Sequence, residues 1–522
     1  MLYYLIYRYI QPFNFDEYTY SMKIKFLNQK NLDYLRKNKK KIVLCHGVFD
    51  LVHIGHVEHF HEAKQKGDVL VVSVTSDSYV NKGPGRPFFS TDKRLKYLSS
   101  FKDIDYVIES KSKTAMTIID FIKPDVYFKG PDYKIFKDDI TGNIVKEMNL
   151  VKKNNGKIFF SNSNTYSSSK ILNKIDNTHQ FQFLKNIKKN FNKSKLEKIF
   201  TKLSNLKIMI IGETILDEYI YCDALGKSGK EPILTYNKNI TETYLGGSLA
   251  IAQNISEFVK KVYLISALGE KKENEKFILK KLKSNIASNF IYKKDSPTII
   301  KTKIFEQFNN NKVLGFYEFN DETLDINQEK QLFRKIKSIS NKVDMIIISD
   351  YGHGLISKSL VSKIKKLKIT CIVNTQINSA NLGYHTISKF KGYHYAIINE
   401  VELRHELRDR SSDIKRLMKL LSKKLDISNL VVTAGKQGSY LYNRQSGSFI
   451  FCPALAVNIV DKVGAGDAML SFFSLATALG KKNPEFALFF GSIAAAKNIE
   501  SQANKFPIKK EDLLKSCYYF LK

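Results

Sequence analysis

The sequence predicts an α/β protein made of two doubly wound domains, the second carrying a small β lid. Three observations predict it. Short apolar runs that read as buried strands alternate with amphipathic helical stretches in two separate regions. A Lys- and Asn-rich stretch divides those regions, and each holds a glycine-bearing turn that opens a helix. At 522 residues the chain is also too long for one small module and fits two large domains.

Composition narrows the class further. Hydrophobic residues at 43% and charged residues at 26% are those of an ordinary globular protein with real cores. The 84 Lys and Arg against 51 Asp and Glu leave a formal net charge of +33. These basic residues are scattered through a chain equally rich in Ile, Asn, Phe and Tyr, so no specific nucleic-acid partner is expected. Cys45, Cys222, Cys371, Cys452 and Cys517 lie far apart without a C-x-x-C pair, as isolated thiols do in a reducing compartment, and a cytoplasmic protein is expected. The apolar start is broken by Arg8 and falls short of the ~20 residues that cross a bilayer, so no membrane span is expected. Residues 1–22 are set aside as an uncertain N-terminal tail.

The first domain is expected over 23–175. Its first strand is 41–45 (KIVLC), followed by a helical stretch near 57–66 and a second strand at 68–74 (DVLVVSV). Apolar runs at 106–108, 126–128 and 158–160 complete a parallel sheet. Residues 176–205 read as a helical linker, with Phe183, Leu184, Ile187 and Phe191, then Leu196, Ile199, Phe200 and Leu203, at helical spacing. Ser194 and Glu197 have the S-x-x-E spacing of a capping box. The second domain is expected over 206–522. It starts with strand 207–211 (KIMII) and continues through an extended aromatic stretch over 216–244. Runs 298–305 and 313–319 flank polar Asn309 and Asn311 as a hairpin would, and these extended pieces are expected to form the lid. Strands at 344–349, 370–373, 395–398 and 430–433 then alternate with helices.

The chemistry of the first domain concentrates in Gly47-Val48-Phe49-Asp50-Leu51-Val52-His53-Ile54-Gly55-His56, which follows a strand and opens a helix. Unsatisfied N–H groups at such a helix start attract phosphate, Gly47 and Gly55 permit close backbone approach, and His53 and His56 can donate to oxygens of a pentacovalent transition state. His59 and His61 read as surface or packing residues, and no zinc ligand set is completed. This G-x-F-D-x-x-H-x-G-H pattern resembles the cytidylyltransferase-like nucleotidyltransferases, which join an NTP to a phosphorylated small molecule and release pyrophosphate. The resemblance extends to Gly85-Arg86-Pro87 before Arg94, to Lys129-Gly130-Pro131-Asp132-Tyr133, and to Tyr166-Ser167-Ser168-Ser169. It implies nucleotide or phosphate contacts for Gly47, Phe49, Asp50, Gly55, Arg86, Arg94, Lys129, Ser167, Ser168 and Ser169, with His53 and His56 catalytic.

In the second domain Asp461-Lys462-Val463-Gly464-Ala465-Gly466-Asp467 precedes an apolar helical run. Its glycines allow the backbone to wrap an anion at a helix start, and Asp467 in the first turn can take a hydroxyl proton. This segment resembles the ribokinase-like carbohydrate kinases. Further resemblances are Gly246-Gly247, Asp217, the N-x-x-E of Asn399 and Glu402, and Thr433-Ala434-Gly435-Lys436-Gln437-Gly438. They imply Asp467 as general base and Gly464, Ala465 and Gly466 as an anion hole for ATP. Thr433, Gly435 and Gly438 would form a nucleotide loop, Asp217, Gly246, Gly247 and Asn254 would hold sugar, and Asn399 and Glu402 would act on Mg2+ indirectly. The chain departs from that family at Ala250, where Asn is usual, at Lys462 in place of Thr, and at Asn374, where relatives have D-P-K. Gly226-Lys227-Ser228 is not a P-loop, because the earlier glycine is missing.

The two halves together resemble the bifunctional heptose-7-phosphate kinase and heptose-1-phosphate adenylyltransferase family, with the domain order reversed. That resemblance implies phosphorylation of a sugar phosphate and nucleotidyl transfer to a sugar 1-phosphate for surface polysaccharide. It also implies Mg2+, ATP as substrate with CTP as the alternative in the first domain, and a homodimer through the lid. The alternative reading keeps only the first domain active, for example on glycerol phosphate, with the second as a sugar-binding or dimerising module.

Overall fold

The computed structural model describes residues 25–80, 87–130, 143–161, 179–308, 311–456, 459–480, 483–502 and 504–521. They fall into two compact units divided between Ile175 and Asp176. Arg86, Ser167, Ser168 and Ser169, like the tail 1–22, lie outside the described residues.

The first unit is a five-stranded sheet of β1 (Ile42–Gly47), β2 (Val69–Thr75), β3 (Tyr106–Ser110), β4 (Val126–Lys129) and β5 (Lys157–Phe160). Its order is β3-β2-β1-β4-β5 and every pairing is parallel. β1 and β2 are apolar through most of their length because helices cover both faces of the sheet. Phe49, Phe60, Leu70 and Leu95 pack on one face, and Leu32, Leu44, Ile119 and Tyr127 on the other. Strand order reverses between β1 and β4, so the segments leaving these strands flank a crevice at their C-terminal ends. Gly47 ends β1 and Lys129 ends β4.

The second unit begins its sheets with β6 (Lys207–Gly212), β7 (Thr214–Lys227), β8 (Leu234–Gly247), β9 (Lys261–Gly269) and β10 (Ile286–Lys293). The expected hairpin follows as β11 (Ile299–Glu306) and β12 (Asn311–Glu318), which pair antiparallel. Then come β13 (Met345–Asp350), β14 (Cys371–Thr375), β15 (Tyr395–Asn399), β16 (Asn429–Thr433), β17 (Ser439–Asn443) and β18 (Phe449–Cys452). Nine of these form one sheet in the order β10-β9-β6-β13-β14-β15-β16-β17-β18, and the rest form a four-stranded lid, β12-β11-β7-β8. Gly226 lies on lid strand β7, not in a strand-to-helix turn.

The helices His179–Asn190 and Lys193–Leu203 do not form a free spacer. Phe183, Ile187, Phe191, Leu196, Phe200 and Leu203 join the core on one face of the nine-stranded sheet, with Phe191 stacked on Phe486. Each buried side chain of this size contributes about 1.5–3 kcal/mol of hydrophobic stabilisation, enough to fix both helices as a layer of the second unit. The second helix starts two residues earlier than Ser194 predicts. Asn192 is its N-cap, with Oδ1 accepting the Lys195 N–H at 3.0 Å, since Asn caps as well as Ser does.

Candidate active sites

In the first unit the helix Ile54–Lys64 leaves the end of β1 with His53 as its N-cap in extended conformation. Phe49 reaches this turn at a positive φ of 47°, and its ring fills the space beside Gly47 that any Cβ would need. The Phe49 ring is buried in the core, so only its backbone faces outward, and the nucleotide contact expected of it reduces to main-chain groups. Tyr97 donates its hydroxyl proton to the carbonyls of Phe49 and Asp50, and Asp50 Oδ1 accepts the Phe89 N–H at 2.9 Å. Gly55 is buried in the first helical turn. The His53 and His56 rings lie 4.0 Å apart. His56 Nδ1 accepts the His53 N–H at 3.4 Å, so in the neutral ring Nε2 carries the proton and is the nitrogen able to donate.

Behind this turn lies a buried polar group that motif spacing does not reveal. Lys129 Nζ is 3.3 Å from Glu147 Oε2, and both side chains are buried. Glu147 also accepts the Tyr127 hydroxyl and the Ala115 N–H, each at 2.9 Å, and despite burial Lys129 holds its carboxyl below the usual range. Lys129 thus ends β4 as an ammonium tethered from behind by Glu147. His46, hydrogen-bonded to Ser73 at 3.1 Å, is pushed down to about 4 by burial and by Lys129, which keeps it neutral. His59 packs against Phe128 and Phe60, and exposed His61 faces Asp103.

Arg94 corrects a sequence expectation. Its guanidinium is fully buried and makes five hydrogen bonds within the protein, to the carbonyls of Phe89, Val48 and Thr75, to Asp77 Oδ1 and to Thr91 Oγ1. All the donors of an arginine are thereby used and none remains for a phosphate. Arg94 instead ties the end of β2 to the turn after β1. Replacing Arg94 by Met is expected to destabilise the first unit by about 3–5 kcal/mol, read as a lowered unfolding midpoint in denaturant, because Asp77 and three carbonyls lose their partner.

In the second unit a cavity of about 430 Å3 opens at the C-terminal ends of the central strands, beneath the lid. The size is that of a small-ligand site. Asp217, Gly247, Asn399, Glu402, Thr433, Gly464, Gly466 and Asp467 all line it, so residues up to 250 positions apart meet there. Gly464 holds φ at +83° and caps the helix Ala465–Ala478, whose first turn contains Asp467. A side chain on Gly464 would strike Asn504 and Asn498, whereas the space beside Gly466 is open. The turn thus presents bare backbone to the cavity.

Asp467 faces this cavity with Tyr351 Oη 2.6 Å from its Oδ1. Desolvation pushes its carboxyl up to about 7, the Tyr351 hydrogen bond and Lys301 oppose the rise, and Asp217 adds to it. Asp217 is buried and paired with Lys303 Nζ at 2.8 Å. Gly246 lies against it, and a Cβ there would collide with Asp217 Oδ2. If Asp217 holds the sugar, as the resemblance implies, Gly246→Ala is expected to displace it and raise KM for the sugar by about tenfold or more while leaving KM for ATP near wild type in steady-state assays.

Glu402 and Asn399 form a reciprocal cap at the start of the helix Glu400–Leu407. Glu402 Oε2 accepts the Asn399 N–H at 2.7 Å and Oε1 the Ile377 N–H at 3.1 Å. Burial pushes Glu402 up to about 7. Both of its oxygens are already engaged, and the described residues contain no group of three or more His, Cys, Asp or Glu able to hold a metal. Were a Mg2+ to enter with nucleotide phosphates, Asn399 and Glu402 would reach it only through water.

Five expected residues are not in the wall of this cavity: Gly246 and Ala465, which adjoin residues that are, and Asn254, Gly435 and Gly438, which lie elsewhere. Asn254 accepts the Ile508 N–H at 3.1 Å and lines a separate cavity of about 200 Å3 with Gln253, Lys281 and Phe506, so its role is to hold the C-terminal segment. Gly435 and Gly438 shape the turn from β16 to β17, at φ of +54° and +113°, and only Thr433 of that loop lines the cavity. Sequence reasoning missed Tyr351, Lys301 and Lys303, which also line it. The two lysines alternate on one lid strand, a period-2 signal that could have marked them as sharing a face. Two of the three family departures, Lys462 and Asn374, are part of the wall as well, while Ala250 lines the smaller separate cavity.

Comparison with known proteins agrees with this architecture. The pfkB family carbohydrate kinase model matches residues 205–511, and the cytidylyltransferase-like model matches residues 44–174. The N-terminal region is 37% identical over 164 residues to the bifunctional protein HldE of Campylobacter jejuni, covering 31% of this chain and 33% of that protein. The HldE of Helicobacter pylori is 37% identical over 153 residues, covering 29% and 31%. The chain thus spans about a third of the length of these curated relatives. The solved structure of a phosphofructokinase-2 mutant from Escherichia coli is 17% identical with a TM-score of 0.50, covering 61% of this chain and 100% of that one, which speaks to the fold of the second unit. No helix among the described residues is long and apolar enough to cross a membrane. With the family model matched over more than half its length, this chain belongs to the pfkB family of carbohydrate kinases, and it carries a cytidylyltransferase-like nucleotidyltransferase domain ahead of the kinase domain.

Proposed function

We propose that the chain carries out two steps in making an activated sugar, with removal of the distal phosphate between them left to a separate phosphatase. The second unit transfers the γ-phosphoryl of ATP to a hydroxyl of a sugar phosphate, heptose 7-phosphate-like. The first unit joins a nucleotidyl group, from ATP in preference to CTP, to a sugar 1-phosphate and releases pyrophosphate. The observation that carries the reading is Asp467, a carboxylate in the first turn of a helix, beside the Gly464–Gly466 bend, in a cavity that also holds Asp217 and Lys303.

In the kinase step Asp217 and the Gly246-Gly247 turn orient the sugar, and Asp467 takes the attacking hydroxyl's proton. Helix N–H groups at Gly464 to Gly466 stabilise charge on the transferred group. A Mg2+ entering with the nucleotide would supply charge neutralisation at the phosphate oxygens. In the nucleotidyl step the acceptor phosphate is itself the nucleophile. His53, His56 and the helix start bind the triphosphate, and Lys129, held by Glu147, supplies positive charge from the end of β4. A solely structural role for the second unit is disfavoured by its open cavity, bare anion turn and poised carboxylate.

The lid is the proposed surface of a homodimer, since Leu225, Leu234, Ile240, Val313, Leu314 and Phe316 are exposed on its strands.

The test is incubation of the full chain with ATP or CTP and a panel of heptose and hexose phosphates, with mass spectrometry of products. A sugar bisphosphate and a nucleotide sugar support both halves. Neither product from any pair overturns the proposal.

A further inference from the structure

We infer that Tyr351 is a positioning residue of the kinase site, whose hydroxyl fixes one oxygen of Asp467 and leaves Oδ2 as the oxygen that accepts the proton. This deepens the kinase reading and rests on it.

Tyr351 follows β13, at the centre of the nine-stranded sheet, and is buried. Its backbone is held on both sides. The N–H donates to Glu213 Oε2 at 3.0 Å, and the carbonyl accepts from the side-chain amides of Asn378 and Asn381, each at 3.0 Å. Glu213 is itself buried and also accepts the His353 N–H at 3.3 Å. The next residue, Gly352, stands at φ +74°, where a side chain would strike Asn381 and His385. Asp350 closes the turn by accepting the Gly352 N–H at 3.1 Å while pairing with Lys389.

So much buried polar structure around one tyrosine is costly unless its placement matters. A phenylalanine would fill the same volume. What the hydroxyl adds is a single short bond, 2.6 Å to Asp467 Oδ1, while Asp467 Oδ2 has no hydrogen-bond partner among the described residues. The groups facing Asp467 are Tyr351 from the turn after β13, Asp217 from β7 and Lys301 from β11. Desolvation and Asp217 favour the protonated carboxyl, whereas Tyr351 and Lys301 favour the carboxylate. Loss of the hydroxyl therefore removes support from the charged, competent form and frees the carboxylate to rotate.

Tyr351→Phe in the full chain tests this. The acid limb of kcat/KM for phosphorylation of the sugar phosphate is expected to move up by about one pH unit. At pH 7 kcat is expected to fall about tenfold with KM for ATP unchanged, while nucleotidyl transfer by the same preparation and its unfolding midpoint stay at wild-type values. A fall in kcat with the acid limb unmoved, or no change in either, overturns the inference. A second readout does not need turnover: the Asp467 carboxyl titration, followed by 13C NMR and assigned with Asp467→Asn, should move up by a similar amount in Tyr351→Phe. If wild type phosphorylates no sugar phosphate while the titration still moves, the kinase reading fails and the Tyr351–Asp467 coupling stands. An unmoved titration in active enzyme sinks the coupling alone.

Discussion

Asp467→Asn is expected to lower ATP-dependent phosphorylation of the sugar phosphate by about 10^2–10^4-fold, the range for losing a positioned general base, with nucleotidyl transfer by the same chain unchanged. The amide keeps the shape of the carboxylate and can still receive the Tyr351 hydroxyl, so the loss reports proton transfer and not collapse of the cavity. Wild-type kinase activity should rise with pH through about 7 as Asp467 ionises, and that limb should be absent from the residual activity of the variant. Stability should change in the opposite direction. The folded pKa lies above the unfolded carboxylate's, so the native state binds the extra proton and Asp467 weakens the fold increasingly as pH rises from about 4 to about 7. Asp467→Asn should therefore unfold at a higher temperature than wild type at pH 8, by at most a few kcal/mol of stability, and at the same temperature near pH 4. Unchanged phosphorylation in Asp467→Asn would remove the base from the proposed mechanism.

The second large effect belongs to the first unit. His53→Ala and His56→Ala are each expected to cost about 10^2–10^3-fold in nucleotidyl transfer, the size of a lost preorganised donor to transition-state oxygens, with kinase activity retained. Both histidines take part in the reciprocal cap of this helix, so each variant should also show a small loss of stability. Pyrophosphate release with a sugar 1-phosphate measures the first effect and a denaturant titration the second. Equal rates for His53→Ala, His56→Ala and wild type would leave this helix start as a structural turn only.

Much of this architecture was legible before any coordinates. Fully buried parallel strands have no polar face to hide, so β1, β2, β6 and β13 stand in the sequence as unbroken apolar runs. The glycine turns were legible because a backbone at φ near +83° against neighbouring side chains, as at Gly464, tolerates no other residue. For the same reason Asp467 could be picked out, since a helix start marks itself locally.

What the tertiary structure alone decided is where long-range partners go. Arg94 has the residue type and position of a phosphate ligand, but its charge is spent on the carbonyls of Val48, Thr75 and Phe89, which no spacing rule brings together. Asn254 sits near Gly246 and Gly247 in sequence, yet it faces the backbone of Ile508, across half the chain. Glu147 meets Lys129, and Tyr351 meets Asp467, only after the sheets have formed. Local backbone geometry and hydrophobic period are written into neighbouring residues, and so the sequence carried the fold and the turns. The charge on Asp467 depends on desolvation and on a hydroxyl 116 positions away, and these exist only once the chain has packed.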